Sequence, residues 1–512
     1  MQLSVLVDTS AAVAATRSRK QKVAALAALL ECADERPLVL SWLAGVLPQG
    51  RIGIGHAALA RTRGTPPATE ASLTVQVVDA ALTALGGIRG EGSQARRHEA
   101  LTMLLSAATE TEQAFLVQLL SGELRQGALF GVMTDAVARA AAVPLASVRR
   151  AAMLSGELVR PSLAAFEGGE SALAAFRVTV FQPVQPMLAS PAADVAAALV
   201  QLGTARLEWK LDGARIQVHR EGERVRVYSR QLRDVTTAVP EVVEVARAWP
   251  CRDAIVDGEV IALHPDGRPR PFQQTMRRFG RRLDVEALRA ELPLTPVFFD
   301  LLHRDGEMWI DRPQSERSRA LQELVGDAVV PHLHTDSDEQ ARHFLQDALD
   351  RGHEGVMAKQ PDAVYAAGSR GAAWLKLKPA WTLDLVVLAA EWGSGRRHGW
   401  LSNLHLGARD GDGFVMLGKT FKGLSDDLLA WQTAELLSRE ISRQDHVVRV
   451  RPELVVEIAF NELQASSRYP GGLALRFARV KGYRPDKSPA ESDSLQTVQA
   501  IHSGRLRHRV VR

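Results

Sequence analysis

The sequence predicts a multidomain chain: an all-α N-terminal unit, a mixed α+β unit and a small C-terminal β-barrel. Three observations lead there. The chain has 512 residues, about three times the ~150 expected of one domain. Its apolar residues recur at helical spacing in the first third and near period two thereafter. The proline-rich stretch "FQPVQPMLASPAADV" separates the two textures, with Pro183, Pro186 and Pro191.

The first unit runs from about Ser10 to Ala175 and is rich in Ala, Leu and Arg. "KQKVAALAALLECADERPLVLSWLAGVL" and "EQAFLVQLLSGELRQGALFGVMTDAVARAAAV" carry its helical periodicity. In the second unit "ARIQVHR", a turn at Glu221 and Gly222, and "RVRVYSR" form a hairpin signature. "AIVDGEVIALHPDG" and "PVFFDLLHRDGEMW" repeat it, with helical pieces such as "DEQARHFLQDALDRG" between. Beyond Pro379 to Thr382 come "LDLVVLAAEW", "NLHLGAR", "FVMLGKTF" and "LVVEIAF", with one helix near "SDDLLAWQTAELLSREI". Roughly 130 residues of short strands suit a small barrel.

Composition narrows the function classes. A hydrophobic share of 46% and a charged share of 24% are those of an ordinary soluble protein. The net charge of +4 is a weak argument for a polyanionic partner. Two cysteines, Cys32 and Cys251, make neither a four-cysteine zinc site nor a disulfide framework. No run of about 18 apolar residues and no basic leader appears. The expectation is a cytoplasmic protein without a membrane anchor.

Lysine usage points to the chemistry. The chain holds 53 arginines and ten lysines, with none between Lys22 and Lys210. A chain that uses arginine wherever a fixed charge suffices invites a special reading of its lysines, because only a lysine amine can lose its proton and act as a nucleophile. Lys210, in "LEWKLDGARIQVHR", follows a short strand and precedes the turn pair Asp212 and Gly213. That places its amine at a strand end facing a cleft.

The context of Lys210 is extensive. "EWKLDGARIQVHR" is followed by "SRQLRDVT", "VDGEVIAL", "TPVFFDLLHRDG", "HEGVMAKQPDAVY", "WLKLKP" and "LRFARVKGYRPDK". In that order and at those separations these resemble the nucleotidyltransferase motifs of the ATP-dependent DNA ligases. The resemblance covers nearly the whole chain. It implies a helical DNA-binding domain over 1–185, an adenylation domain over 186–380 and an OB-fold barrel over 381–512. It also implies nick sealing in DNA repair, recombination or replication, with ATP as substrate and Mg2+ as cofactor.

Under that resemblance Lys210 attacks the α-phosphate of ATP and carries AMP as a phosphoramidate, which splits one hard step into two. A charged lysine cannot attack, so burial and the cations of Lys376 and Lys378, alternating on one strand face, are expected to favour its neutral form. Glu259 and Glu354 are assigned to the metal, Glu259 also to the sugar, since magnesium takes one or two carboxylates while phosphates complete its shell. Glu208 is assigned to the adenine base, Arg215 and Arg230 to the ribose or a bound phosphate, and Phe299 to the adenine ring. Phe298 is the rival of Phe299, and strand alternation sends the two to opposite faces. Arg476, Arg479, Arg484 and Lys487 fall where the family orients the triphosphate. They sit in the barrel, so the barrel must close over ATP through a hinge near Pro379 to Asp384 and later turn to grip DNA.

A nick occurs in any sequence, so DNA contact should rest on phosphates and duplex shape. Arg125, Arg149 and Arg150 are candidates in the helical unit, and Arg277 and Arg278 in the denser "RRFGRR". The expected partner is nicked double-stranded DNA, bound by a monomer at the nucleoid. Two other readings are an RNA-ligase or capping-type nucleotidyltransferase, and a catalytically silent DNA-end-binding protein. The helical first unit and the closing "RPDK" oppose the former. The joint presence of Lys210, Glu259, Glu354, Lys376 and Lys378 opposes the latter.

Overall fold

The computed structural model describes residues 1–50, 52–124, 130–281, 284–368 and 370–506. The named elements of the first unit are all helices: α1 (Leu3–Ala15), α2 (Arg19–Cys32), α3 (Arg36–Leu43), α4 (His56–Arg61), α5 (Val75–Gly87), α6 (Ser93–Ser106), α7 (Glu110–Ser121), α8 (Phe130–Ala140), α9 (Leu145–Ser155) and α10 (Val159–Ala174). Local chemistry marks the ends. Ser18 and Thr74 cap α2 and α5, and Thr109 with Glu112 forms a capping box on α7. The apolar stripes converge on one core around Trp42.

The central unit is built on β1 (Leu188–Pro191), β2 (Ala205–Lys210), β3 (Ala214–Glu221), β4 (Arg224–Ser229), β5 (Asp253–Ala262), β6 (Leu294–Arg304), β7 (Glu307–Met308), β8 (His332–Thr335), β9 (Gly355–Lys359) and β10 (Arg370–Leu377). Among the described residues these make two five-stranded sheets, ordered β1-β10-β9-β2-β8 and β4-β3-β5-β6-β7. Helices α11 (Val195–Leu202) and α16 (Asp338–Asp350) cover the first sheet, while α12 (Pro240–Arg247), α13 (Phe272–Phe279) and α15 (Gln314–Val325) cover the second; α14 (Val285–Glu291) packs on α13.

Strand periodicity then decides what faces what. On β5, Ala254, Val256 and Val260 pack into the core beneath the second sheet, whereas Ile255, Asp257 and Glu259 take the opposite face. On β2, Ala205, Leu207 and Trp209 pack beneath the first sheet, which turns Glu208 and Lys210 the other way. On β10, Leu375 and Leu377 join that core, which leaves Trp374, Lys376 and Lys378 on the other side. An apolar cluster including Ile255, Leu302, Tyr365 and Trp374 closes part of the space between the sheets. Charged residues line the rest.

The last unit contains β11 (Trp381–Trp392), β12 (Leu401–Asp410), β13 (Gly413–Thr420), β14 (Glu440–Gln444), β15 (Val447–Val450), β16 (Val455–Phe460), β17 (Glu462–Ala465), β18 (Leu473–Arg476) and β19 (Arg479–Tyr483). Seven of these form one sheet on the path β13-β12-β11-β15-β14, with β16 on β11 and β19 on β16, and β17 pairs β18. The curled sheet around one apolar core is consistent with an OB-fold. It carries α17 (Asp426–Ser438) and a second helix, α18 (Leu495–His502), where only one was expected. Ser494 caps α18 through the Thr497 N–H. Residues 378–380 join β10 to β11, so the connection is shorter than the Pro379 to Asp384 segment where a hinge was expected: Asp384 lies within β11, in register with Glu457 of β16.

Candidate active site

Lys210 ends β2 opposite Gly355 of β9, and the Glu354 N–H donates to the Lys210 carbonyl at 3.1 Å. The pairing sets the Glu354 side chain beside the amine: Lys210 Nζ lies 2.5 Å from Glu354 Oε2. Lys378 holds Oε1 of the same carboxylate. The approach requires glycine at 355, whose φ of +141° disfavours a side chain and whose added Cβ would sit 2.1 Å from the Leu377 carbonyl oxygen. From the other sheet, Glu259 Oε1 accepts the Gly213 N–H at 3.2 Å. Lys210, Glu354, Lys378 and Glu259 are thus brought together. Lys376 sits two residues earlier on β10, in register with Met357 and Pro191.

The electrostatics differ from the expectation of a lysine made neutral by burial and cations. Burial does push the Lys210 ammonium down, but the carboxylates of Glu354, Glu259 and Asp212 outweigh it and hold its pKa above the ordinary value. Glu354 goes the opposite way: burial raises it, and the two lysines outweigh that and bring it below the usual carboxylate range. Asp212 and Glu259 lack such compensation. Burial, with Glu354 and Glu462 nearby, pushes Asp212 up to about 7, and burial pushes Glu259 up to about 7 against the pull of Lys210 and Arg215.

The two phenylalanines separate as alternation requires. Phe298 is fully buried and packs edge-on against Trp249. Phe299 faces the other way, edge-on to Trp374 with ring centroids 6.2 Å apart, and Arg215 and Lys359 lie over its ring. Arg230 is exposed and lines a small pocket with Arg215, Gln217 and Asp257.

Several assignments need correction. Glu208 is not open to a ligand: it is 2% exposed and its carboxylate is taken by Arg206 Nε at 2.9 Å and Lys359 Nζ at 2.6 Å. A buried carboxylate without those cations would be costly, so the two partners belong to the fold. Arg278 is fully buried in a bidentate pair with Glu241, at 3.0 and 3.1 Å, and cannot reach DNA; its neighbour Arg277 is exposed. Arg150 pairs with Asp311 of the central unit at 2.7 Å and Arg149 pairs with Asp135, both arginines remaining about half exposed. Arg125 lies outside the described residues.

The barrel arginines also divide. Arg484 and Lys487 lie 3.2 and 2.5 Å from Asp384, within the barrel. Arg476 pairs with Glu462 at 2.7 Å and its guanidinium lies over Phe272 of the central unit and over its exposed neighbour Phe477. Hairpin β17-β18, not the Arg484 and Lys487 edge, therefore approaches the cleft. Asp257, Tyr365, Lys359 and Trp374 stand at the site although no role was expected of them from the sequence. Asp257 carried a usable signal, two residues before Glu259 on one strand face.

Comparison with known proteins gives one family along the chain. The profile described as "DNA ligase N terminus" matches residues 52–138, "ATP dependent DNA ligase domain" 186–378, and "ATP dependent DNA ligase C terminal region" 397–487. A "Probable DNA ligase" of Anaeromyxobacter sp. (strain Fw109-5) is 58% identical over 510 residues, 98% of each chain. One of Sorangium cellulosum (strain So ce56) is 52% identical over 512 residues, covering 99% of this chain and 96% of that one. A solved structure described as Pmar-Lig_PreS3 superposes with a TM-score of 0.62 at 18% identity, covering 94% of this chain and 99% of its own, a likeness of fold.

Proposed function

The chain belongs to the ATP-dependent DNA ligases, and from that premise we propose that Lys210 is the nucleophile that carries AMP to a nick in duplex DNA. The observation that carries the reading is the shared carboxylate: Glu354 lies between the Lys210 and Lys378 ammonium groups at the end of β2. The Lys210 amine forms a bond to the α-phosphorus of ATP as the bond to pyrophosphate breaks, giving a phosphoramidate. The ammonium proton must leave first, and Glu354 is the acceptor in contact with it. AMP then passes to the 5'-phosphate, and the 3'-hydroxyl displaces it.

Magnesium fits the donor set. Burial pushes both Asp212 and Glu259 up to about 7, and a hard divalent cation with oxygen ligands would favour their charged forms. Glu259 and Glu354 would hold the ion, which contributes charge neutralisation on the phosphates. Lys376 and Lys378 stabilise charge on the α-phosphate, and Phe299 stacks on adenine. Arg215 and Arg230 take the ribose or a bound phosphate.

Arg476, Arg479, Arg484 and Lys487 orient pyrophosphate opposite Lys210 after the barrel turns about residues 378–380. DNA phosphates are met by Arg277 and by the helical unit, with domain boundaries taken at 185/186 and 380/381. We take the enzyme to act as a monomer, in the cytoplasm at the nucleoid.

The test uses α-labelled ATP and magnesium without DNA. Label should stay on the parent chain through denaturing electrophoresis and be absent from Lys210→Arg, which keeps the charge but not the titratable amine. Lys210→Ala should still seal a pre-adenylated nick. Repeated ATP-dependent ligation by Lys210→Arg near the parent rate would overturn the assignment.

A further inference from the structure

Behind Arg215 lies a buried polar network whose members Gln217, Asp257 and Tyr365 fall within the quoted motifs but had no role assigned to them. Asp257, 1% exposed, accepts three hydrogen bonds: from Arg215 Nη2 at 2.6 Å, Gln217 Nε2 at 3.0 Å and Tyr365 Oη at 2.5 Å. Tyr365 is 3% exposed; its hydroxyl accepts the Met187 N–H at 2.9 Å and an Arg215 Nη2–H at 3.2 Å. The Met187 carbonyl in turn accepts from Arg215 Nη1 at 2.7 Å. The guanidinium is clamped by a carboxylate, a hydroxyl and a carbonyl, while its buried Nε–H has no protein partner. A buried donor left unpaired calls for an explanation, and an acceptor supplied by a bound ligand is one.

We propose that Tyr365 is a positioning residue for ligation, fixing the Arg215 guanidinium directly and through Asp257 at the subsite where it meets the ribose or a phosphate. The inference rests on the reading of Arg215 given above. Its physical basis is the fan of rotamers open to an arginine stem. A carboxylate with a spare acceptor site can turn, and the guanidinium turns with it; a third donor set by a rigid ring removes that freedom. The ring is rigid because it packs edge-on to Trp374 at 5.9 Å and beneath the Arg317 guanidinium, and the Tyr365 N–H donates to the Ile310 carbonyl at 2.8 Å. None of these contacts uses the hydroxyl. Phenylalanine at 365 therefore keeps the packing and removes the clamp together with the acceptor of the Met187 N–H, a loss that the melting shift reads separately.

The experiment is a double-mutant cycle on the full chain with Tyr365→Phe, Arg215→Ala and the pair, with Tyr228→Phe as control. Tyr228 donates to the Phe181 carbonyl on the same interdomain segment and does not touch Arg215. Single-turnover self-adenylylation and sealing of a pre-adenylated nick are both measured. Tyr365→Phe should slow by about tenfold whichever step Arg215→Ala slows, the scale of one charge-assisted hydrogen bond. It should cost nothing further in the Arg215→Ala background, although its melting shift persists there. Tyr228→Phe should run at the parent rate. Losses that multiply in the double variant, or a Tyr365→Phe enzyme at the parent rate, overturn the proposal while leaving Arg215 standing. A silent Arg215→Ala removes the reading of Arg215 and the proposal with it. Should Arg215→Ala fail to fold, Arg215→Lys completes the same cycle.

Discussion

Replacing Gly213 with alanine tests whether the distance between the two sheets sets the chemistry at Lys210. No left-handed backbone is required at 213, so the cost of a methyl group there is steric alone. A Cβ at 213 would lie 2.3 Å from the Val260 carbonyl oxygen and 2.8 Å from Glu259 Cγ. Both obstacles belong to β5, one of them rigid backbone. Restoring an ordinary contact requires the Lys210 turn and β5 to part by about 1 Å, and a misplacement of about 1 Å costs on the order of a hundredfold in rate. The same separation breaks the Gly213 to Glu259 hydrogen bond. Self-adenylylation should thus fall about a hundredfold, while stability falls by about 1–3 kcal/mol, the usual cost of one extra methyl in a packed site. Single-turnover uptake of labelled AMP and a thermal melt separate the two effects. A folded Gly213→Ala enzyme that takes up AMP within about threefold of the parent rate would refute the claim that this contact sets the site.

Four further outcomes follow. Arg278→Ala should destabilise the protein by about 3–5 kcal/mol, because it strands Glu241 without its cation, and should leave the salt dependence of nick binding unchanged. Arg277→Ala should do the reverse, reducing the log-log salt slope by about 1 with little effect on melting. Arg484→Ala with Lys487→Ala should slow AMP uptake far more than sealing of a pre-adenylated nick; equal loss in both steps would contradict a closing barrel. Glu259 carries a raised pKa, so the folded state binds its proton more tightly than the unfolded chain and loses stability as pH rises from about 4.5 to about 7. Without magnesium, Glu259→Gln should accordingly gain on the parent in melting temperature as pH is raised through that window, and magnesium should shrink the difference.

The reading of Lys210, and the three-unit architecture around it, needed no coordinates. Both depend on features written locally: a change of hydrophobic period, turn pairs at strand ends, and one lysine kept in an arginine-rich chain. Alternation along a strand likewise put Phe298 and Phe299 on opposite faces, because a pleat sends neighbours to opposite sides whatever the fold around it. Which of them turns away from the core came only with the fold, where Phe298 packs on Trp249 and Phe299 meets Trp374. Partners were another matter. Arg277 and Arg278 are indistinguishable as letters, yet one is exposed and the other sits against Glu241, a residue on a different helix. Glu208 reads as a ligand and is held by Lys359 from the neighbouring strand. Lys210 was expected to be neutral and is instead held protonated by Glu354, 144 positions along the chain and one strand away. Backbone geometry repeats with the residue and is legible one segment at a time. Charge pairing and burial act through space, and which residues share that space was settled only when the two sheets closed on each other.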